Sequence, residues 1–279
     1  MTIKNPWYTM DVETNQCGFD IRINDCPVGR HHYKATTFNR PINEWIINGN
    51  NVITIDLFGL EAGAAVSPDA TIGVKLLLRD ELDDQFQTIA SMEFSGVTLE
   101  SDGDESPLLA SPESSGFVLE QVSHAPLRLR RDVNLEVPFG PWAWQTSKKI
   151  DVSLETLAEL KTEMQKLHQR LASEDYEGLA SVSQERIKEQ SAAYYMTDQE
   201  RTSGMKEALM ELMNTPDHNL EPLYDGQLRI NGWADKRLVS IADIYDQSVI
   251  RTSDSEDMFL GVANFIFRQA ADGTWIVCR

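Results

Sequence analysis

The sequence predicts an α+β protein in two parts, an antiparallel β-sandwich followed by helices packed on an antiparallel sheet. Three observations carry this. Short apolar/polar alternations broken by Gly, Pro and Asn fill the first 140 residues, the pattern of antiparallel strands joined by turns. From Leu154 the apolar period lengthens, with Leu154, Leu157, Leu160, Met164, Leu167 and Leu171 on one helical stripe. From Leu220 onward the period returns to two. A chain of 279 residues is long enough for two domains of ordinary size, and the pattern divides it into 1–140, a stiff aromatic linker at 141–152, and 153–279.

In the first part, Phe19, Ile21 and Ile23 alternate with Asp20, Arg22 and Asn24, as in a half-buried strand, and Asp25-Cys26-Pro27-Val28-Gly29 reads as the turn after it. Ile42, Trp45 and Ile46 stand at helical spacing for a single turn. Asn48 to Asn51 then turns the chain into the β-branched run Val52 to Leu57. Further strands are predicted over Thr71 to Arg79, Ile89 to Leu99 and Arg128 to Phe139. Glu100 to Gly116, rich in Ser, Pro and acids, reads as a mobile loop. The order of a strand ending in Ile-Asn-Asp, then Pro-Val, Asn-Gly-Asn-Asn and Val-Ile-Thr-Ile resembles the front edge of galactose-binding-like jelly-roll modules, over about residues 15 to 60. That resemblance implies a jelly-roll-like sandwich.

In the second part, Ser153 can cap the first helix, with Glu155 near its positive end, and the helix should stop near Ser173. A second helical segment runs from Asp175 towards Tyr194 and Tyr195. Thr197-Asp198-Gln199-Glu200 is a capping box opening a third, whose Met205, Ala208, Leu209, Leu212 and Met213 share a face and which Asn214-Thr215-Pro216 closes. Strands follow at Leu223 to Ile230, Leu238 to Tyr245, Met258 to Arg268 and Trp275 to Arg279, the last pair joined at Asp272-Gly273. Helix, Glu-Asp-Tyr-Glu-Gly-Leu, helix, capped helix and strands ending in Asp-Gly-Thr-Trp-Ile-Val-Cys-Arg together resemble the nuclear-transport-factor-like cone of ketosteroid isomerases and polyketide cyclases. The resemblance implies three helices on a bent antiparallel sheet, with a pocket at the open end of the cone.

Such a pocket becomes catalytic when a carboxyl group kept partly protonated meets a polarising donor. Tyr195, Trp233, Asp243, Tyr245 and Asn264 are the candidate pocket residues, with His168 and Tyr194 as neighbouring polar groups better suited to packing. Asp243 draws interest because Ile241 and Tyr245 share its strand face, and apolar neighbours disfavour a charge. No residue is assigned a catalytic role, because sequence places no partner beside Asp243. His31 and His32 would point to opposite strand faces, and Asp102-Gly103-Asp104-Glu105 lacks the spacing of a calcium loop, so neither makes a metal site. There is no Gly-rich phosphate loop, nucleophile elbow or His-Glu-x-x-His motif. No cofactor is implied.

Charge narrows the partners further. The net charge of −19 is shared evenly: residues 1–150 carry 12 Lys+Arg against 21 Asp+Glu (−9), and residues 151–279 carry 13 against 23 (−10). Phosphate backbones and anionic lipid are repelled by such a surface, which argues against nucleic-acid and membrane partners. Three scattered cysteines, Cys17, Cys26 and Cys278, suit neither a disulfide framework nor a metal knuckle. With no basic-then-apolar leader at the amino terminus, the expected location is cytoplasmic. The reading is therefore a non-enzymatic binding or protein-interaction protein, taking a protein partner or a small apolar ligand; a homodimer through the C-terminal sheet is compatible with it. An isomerase- or cyclase-type enzyme is the first alternative and an intracellular carbohydrate-binding module the second, with Trp7, Tyr8, Tyr33, Phe38 and Trp45 as its aromatic candidates.

The junction carries the last expectation. Pro138, Phe139, Pro141, Trp142 and Trp144 make it stiff and apolar where a free linker is rich in Gly and Ser, so Phe139, Trp142 and Trp144 are expected to pack at an interface between the domains.

Overall fold

The computed structural model describes residues 3–31, 33–61, 64–81, 83, 85–96, 118–120, 127–215, 219–244, 246–253 and 259–279. The expected loop at 100–116, His32 and Tyr245 lie outside them. The fold is mixed α+β, and every strand pairing among the described residues is antiparallel. Contacts divide the chain into two compact units, Met1–Pro141 and Trp142–Arg279.

The first unit holds strands β1 (Pro6–Asn15), β2 (Gly18–Ile23), β3 (Cys26–His31), β4 (Ala35–Pro41), β5 (Gly49–Phe58), β6 (Thr71–Asp80), β7 (Gln87–Ser95), β8 (Val118–Glu120) and β9 (Leu127–Leu135), with a 3-10 turn at Asn43–Trp45. They form two sheets, in the orders β4-β1-β6-β7 and β3-β2-β5-β9-β8. Strand alternation decides what is buried: Tyr8, Met10 and Val12 on β1, Phe19, Ile21 and Ile23 on β2, Ile53, Ile55 and Leu57 on β5, and Ile72, Val74 and Leu76 on β6. Each fully buried side chain of this size stabilises by about 1.5–3 kcal/mol. Phe19 stacks on Phe38 of β4 with ring centroids 6.0 Å apart, so apolar side chains bridge the two sheets.

The turn after β2 differs from expectation. Asn24 and Asp25, at φ of 54° and 60°, form the two-residue connection, and Cys26 already begins β3. Two consecutive positive φ values suit a hairpin whose turn follows the strand twist. Pro27 is tolerated because β3 lies at the sheet edge. Asn24 Nδ2 donates to Trp45 O and to Asn51 Oδ1, each at 2.8 Å, and its Oδ1 accepts from Val52 N at 3.0 Å. Ile42, Trp45 and Ile46 all point inward, as their spacing indicates.

In the second unit, helices α1 (Ala143–Thr146), α2 (Leu154–Ala172), α3 (Tyr176–Val182), α4 (Gln184–Ala193) and α5 (Asp198–Asn214) precede the strands. These are β10 (Asn219–Leu220), β11 (Leu228–Trp233), β12 (Leu238–Asp243), β13 (Arg251–Ser253), β14 (Phe259–Val262), β15 (Phe267–Gln269) and β16 (Trp275–Val277). They pair in the orders β10-β13-β14 and β11-β12-β15-β16. Leu160, Met164, Leu167 and Leu171 of α2 bury against Val239, Ile241, Phe265, Phe267 and Val277. Leu154, expected on that stripe, is 85% exposed, because the first residue after the Ser153 cap precedes the turn that meets the sheet. The segment expected as one helix from Asp175 is two, α3 and α4, meeting at the buried Ser183. The capping box at Thr197 and Glu200 forms as its spacing requires, with Thr197 N donating to Glu200 Oε2 at 2.8 Å and Glu200 N to Thr197 Oγ1 at 3.2 Å.

Candidate functional site

A groove of about 350 Å³ lies in the second unit between α2 and the β15–β16 hairpin. Helical spacing puts Glu163, Lys166, Leu167 and Arg170 along one side of it, and strand pairing brings Phe267 and Val277, cross-strand neighbours, to the other. Trp275 and Val182 complete its apolar lining. The charged groups at its edge are paired: Lys166 Nζ stands 2.7 Å from Glu163 Oε1, and Arg170 meets Asp175. Trp275 Nε1 donates to Glu159 Oε2 at 2.8 Å, which sets the plane of the indole. The result is an apolar floor with a mixed-charge edge, suited to holding an apolar group by burial.

Asp243 sits at the end of β12, only 3% exposed, with Arg251 of β13 against it. Arg251 Nη1 is 3.3 Å from Asp243 Oδ2 and donates to Gln247 Oε1 at 2.9 Å, while its Nε stands 3.0 Å from Glu221 Oε2. The guanidinium also lies over the Tyr224 ring, 4.7 Å from its centroid. Gln247 N donates to Asp243 Oδ1 at 2.9 Å. Burying a carboxylate is tolerable when a cation and donors meet it, as here. Ile241 is buried on the same strand face, but Arg251 arrives from another strand, which residue spacing along β12 does not reveal. Asp243 is therefore one half of a charge cluster, and does not face apolar residues alone.

The remaining expected pocket residues are dispersed. Trp233 pairs with Leu238 at the turn end of the β11–β12 ribbon, whereas Asp243 pairs with Leu228 at the opposite end. Five residues of strand separate the two positions, roughly 17 Å at the usual rise. Trp233 Nε1 donates to Ser240 Oγ at 3.0 Å. Tyr195 follows α4 at a φ of 58°, and Asn264, between β14 and β15, is exposed. His168 Nε2 is 2.7 Å from the Glu221 carbonyl oxygen, a packing role. Tyr194, Trp142, Trp144 and Phe139 are buried; Phe139 belongs to the first unit and the two tryptophans to the second. None of these residues lines the groove.

Two part-buried ion pairs hold α4. Arg268 of β15 meets Glu185 through both Nε, at 2.5 Å, and Nη2. Arg279 Nη1 lies 2.6 Å from Glu189 Oε2, whose other oxygen accepts from Ala143 N at 2.5 Å. Burial pushes the Cys17 thiol up to about 11 and the Cys278 thiol up to about 12, so neither is a ready nucleophile. Among the described residues no group of three or more His, Cys, Asp or Glu could hold a metal ion, and no helix is long and apolar enough to cross a membrane.

Sequence reasoning missed the groove and the Arg251 cluster. A signal for the second was present: Arg251 interrupts the run Val249-Ile250-Arg251-Thr252, where a lone charge among β-branched residues calls for a buried partner. The groove had none, since its two sides lie about 100 residues apart in the sequence. Comparison with known proteins finds no matching family model, no matching curated protein and no matching solved structure.

Proposed function

We propose that this chain is a non-enzymatic binding protein that holds a small apolar ligand, or an apolar side chain of a protein partner, in the groove between α2 and the β15–β16 hairpin. The observation that carries this is the groove's lining, in which Leu167, Phe267, Trp275 and Val277 offer apolar surface while the neighbouring charges are already paired. The other half of the lining, Glu163, Lys166, Gln169, Arg170 and Ser173, is polar, so the apolar floor would seat the ligand and the edge would orient it. The state of Asp243 weighs against the isomerase or cyclase alternative, because its carboxylate is engaged by Arg251 and by Gln247 N. We place the first unit with jelly-roll-like sandwiches, on its two antiparallel sheets and buried alternate residues. The second we read as a nuclear-transport-factor-like cone, on its long first helix packed against antiparallel strands.

The test uses 1-anilinonaphthalene-8-sulfonate as an apolar probe, titrated into the full chain. The expected result is saturable one-to-one binding that perturbs tryptophan emission and is weakened at least about tenfold by Val182→Glu at the groove's edge, a loss of about 1.4 kcal/mol. Binding that does not saturate, or that ignores this substitution, removes the groove from consideration.

A further inference from the structure

Strand β11 is the outermost strand of its sheet, and β12 is the one strand paired with it among the described residues. An outermost strand offers alternate backbone N–H and C=O groups to a further strand, and proteins blunt this with prolines, charges, bulges or short length. The other outermost strands described carry such features. β3 has Pro27 and a register shift, β7 and β14 have register shifts, and β4 carries Arg40 and ends in Pro41. β8 and β16 are three residues long and β10 two. β11 has none of these: its six residues pair with β12 without a shift, it holds no Pro, and its single charge, Arg229, is met by Asp246.

The apolar layer of this sheet runs out unfinished at β11. Val239 and Ile241 of β12 are 0% and 4% exposed, whereas Leu228 and Ile230, on the same face of β11, stay half-buried although they pack on the same core. A strand added beside β11 covers both. The two ends of the strand also differ in charge. Asp225, exposed, precedes Leu228. At the turn after Trp233, Asp235 is outnumbered by Lys149 and Arg237, which pair with it, and by the exposed Lys236. A strand acidic at one end and basic at the other complements an antiparallel copy of itself.

We propose that β11 is the interface at which a second copy of this chain adds its own β11 antiparallel, about a twofold axis through Ile230. Residues directly opposite in an antiparallel pair share a face, so this register sets Ile230 against its counterpart, Leu228 against Gly232 and Arg229 against Asn231. Both half-buried apolar side chains are then covered, Leu228 meets a residue without a side chain, and no like charges face each other within the strand. Each Asp225 comes beside the basic turn of the other copy. The groove lies at the opposite edge of the sheet, on β15 and β16, and stays open. One short strand buries less than about 1,000 Å², the class of weak and reversible interfaces. The net charge of −19 on each copy also holds the affinity down.

Sedimentation equilibrium of the full chain, from low to high micromolar concentration, should show a reversible monomer–dimer equilibrium. Amide exchange at β11 should slow as the dimer fills, while exchange at the first unit's outermost strands β4 and β7 stays unchanged. Ile230→Lys sets two ammonium groups against each other across the axis. Since Ile230 is already half-buried only, that chain should remain folded by circular dichroism and be monomeric. Asp225→Lys, at an exposed residue, should weaken the dimer about fivefold even though it reduces the net charge, and adding Lys236→Glu should recover most of the loss. The proposal is overturned by a chain that stays monomeric, by a dimer that survives Ile230→Lys, by β11 exchange that ignores concentration, or by an Asp225→Lys dimer as strong as the natural one. A monomeric chain whose β11 amides are protected by an added extended peptide overturns it too, and gives the edge to a foreign strand.

Discussion

Removing one side of the Arg251 cluster should reveal how the second unit depends on it. Asp243→Ala leaves the guanidinium, itself 9% exposed, facing Glu221, Gln247 and the Tyr224 ring without its most buried acid. Stripping one partner from a buried ion pair costs about 3–5 kcal/mol when the other charge is stranded. Here Glu221 and Tyr224 remain, and the Asp243 contact at 3.3 Å is not the shortest in the cluster, so the low end of about 3 kcal/mol applies. With a urea slope of about 2 kcal/mol/M, that moves the unfolding midpoint of this unit down by roughly 1.5 M. The assay is urea unfolding of the full chain followed by hydrogen exchange at the β12 and β13 amides, which report on this unit alone. Arg251→Met should cost a similar amount, and the double substitution much less than the sum, because it removes both buried charges and leaves only the part-exposed Glu221 without its cation. Additive costs, or a loss below about 1 kcal/mol for Asp243→Ala, would refute the reasoning.

Three further predictions follow from buried polar groups. Asn43 is fully buried and holds both Tyr8 N and Pro6 O through its amide at 2.7 and 2.8 Å, so Asn43→Ala should destabilise the first unit by about 2–3 kcal/mol, measured as a lowered unfolding midpoint. Glu189→Ala takes a carboxylate partner from the buried Arg279 guanidinium and frees Ala143 N, so amide exchange at Ala143 should accelerate along with a loss of about 3 kcal/mol; unchanged exchange there would contradict the contact. The thiols of Cys17 and Cys278, raised to about 11 and about 12 in the fold, should stay protonated while those of the unfolded chain ionise near ~8.5. Since the folded state then holds more protons than the unfolded, stability is unaffected below about pH 8 and falls as pH rises from there through 11 to 12. Thiolate absorbance in the folded protein at pH 9 would contradict it.

Much of the fold was legible in residue periodicity, because period and capping are local properties. The alternation through Phe19, Ile21 and Ile23, the α2 stripe from Leu160 to Leu171 and the Thr197–Glu200 capping box each depend on residues within a few positions of one another. Strand β1 carries the same alternation, Tyr8, Met10 and Val12 against Trp7, Asp11 and Glu13, and sequence analysis passed over it. The turn after Ile23 was displaced by Pro27, a strong turn signal that an edge strand can absorb. The break between α3 and α4 at Ser183 escaped detection because no Pro or Gly marks it.

The site was less legible. Tyr195, Trp233, Asp243 and Asn264 were grouped by residue type and by position on predicted strands, yet antiparallel register places Trp233 and Asp243 at opposite ends of one ribbon. Side-chain pairing across strands is non-local, so the partner of Asp243 could not be assigned before Arg251 was placed on β13. Tyr8 makes the same point. Sequence analysis offered it as an aromatic candidate of a carbohydrate-binding face, whereas the alternation of β1 turns its ring into the core. That Tyr8 lies beside Leu78 and Val137 at a surface depression depends on three distant segments converging. Periodicity sets which side of an element is buried; only tertiary packing decides which groups meet there.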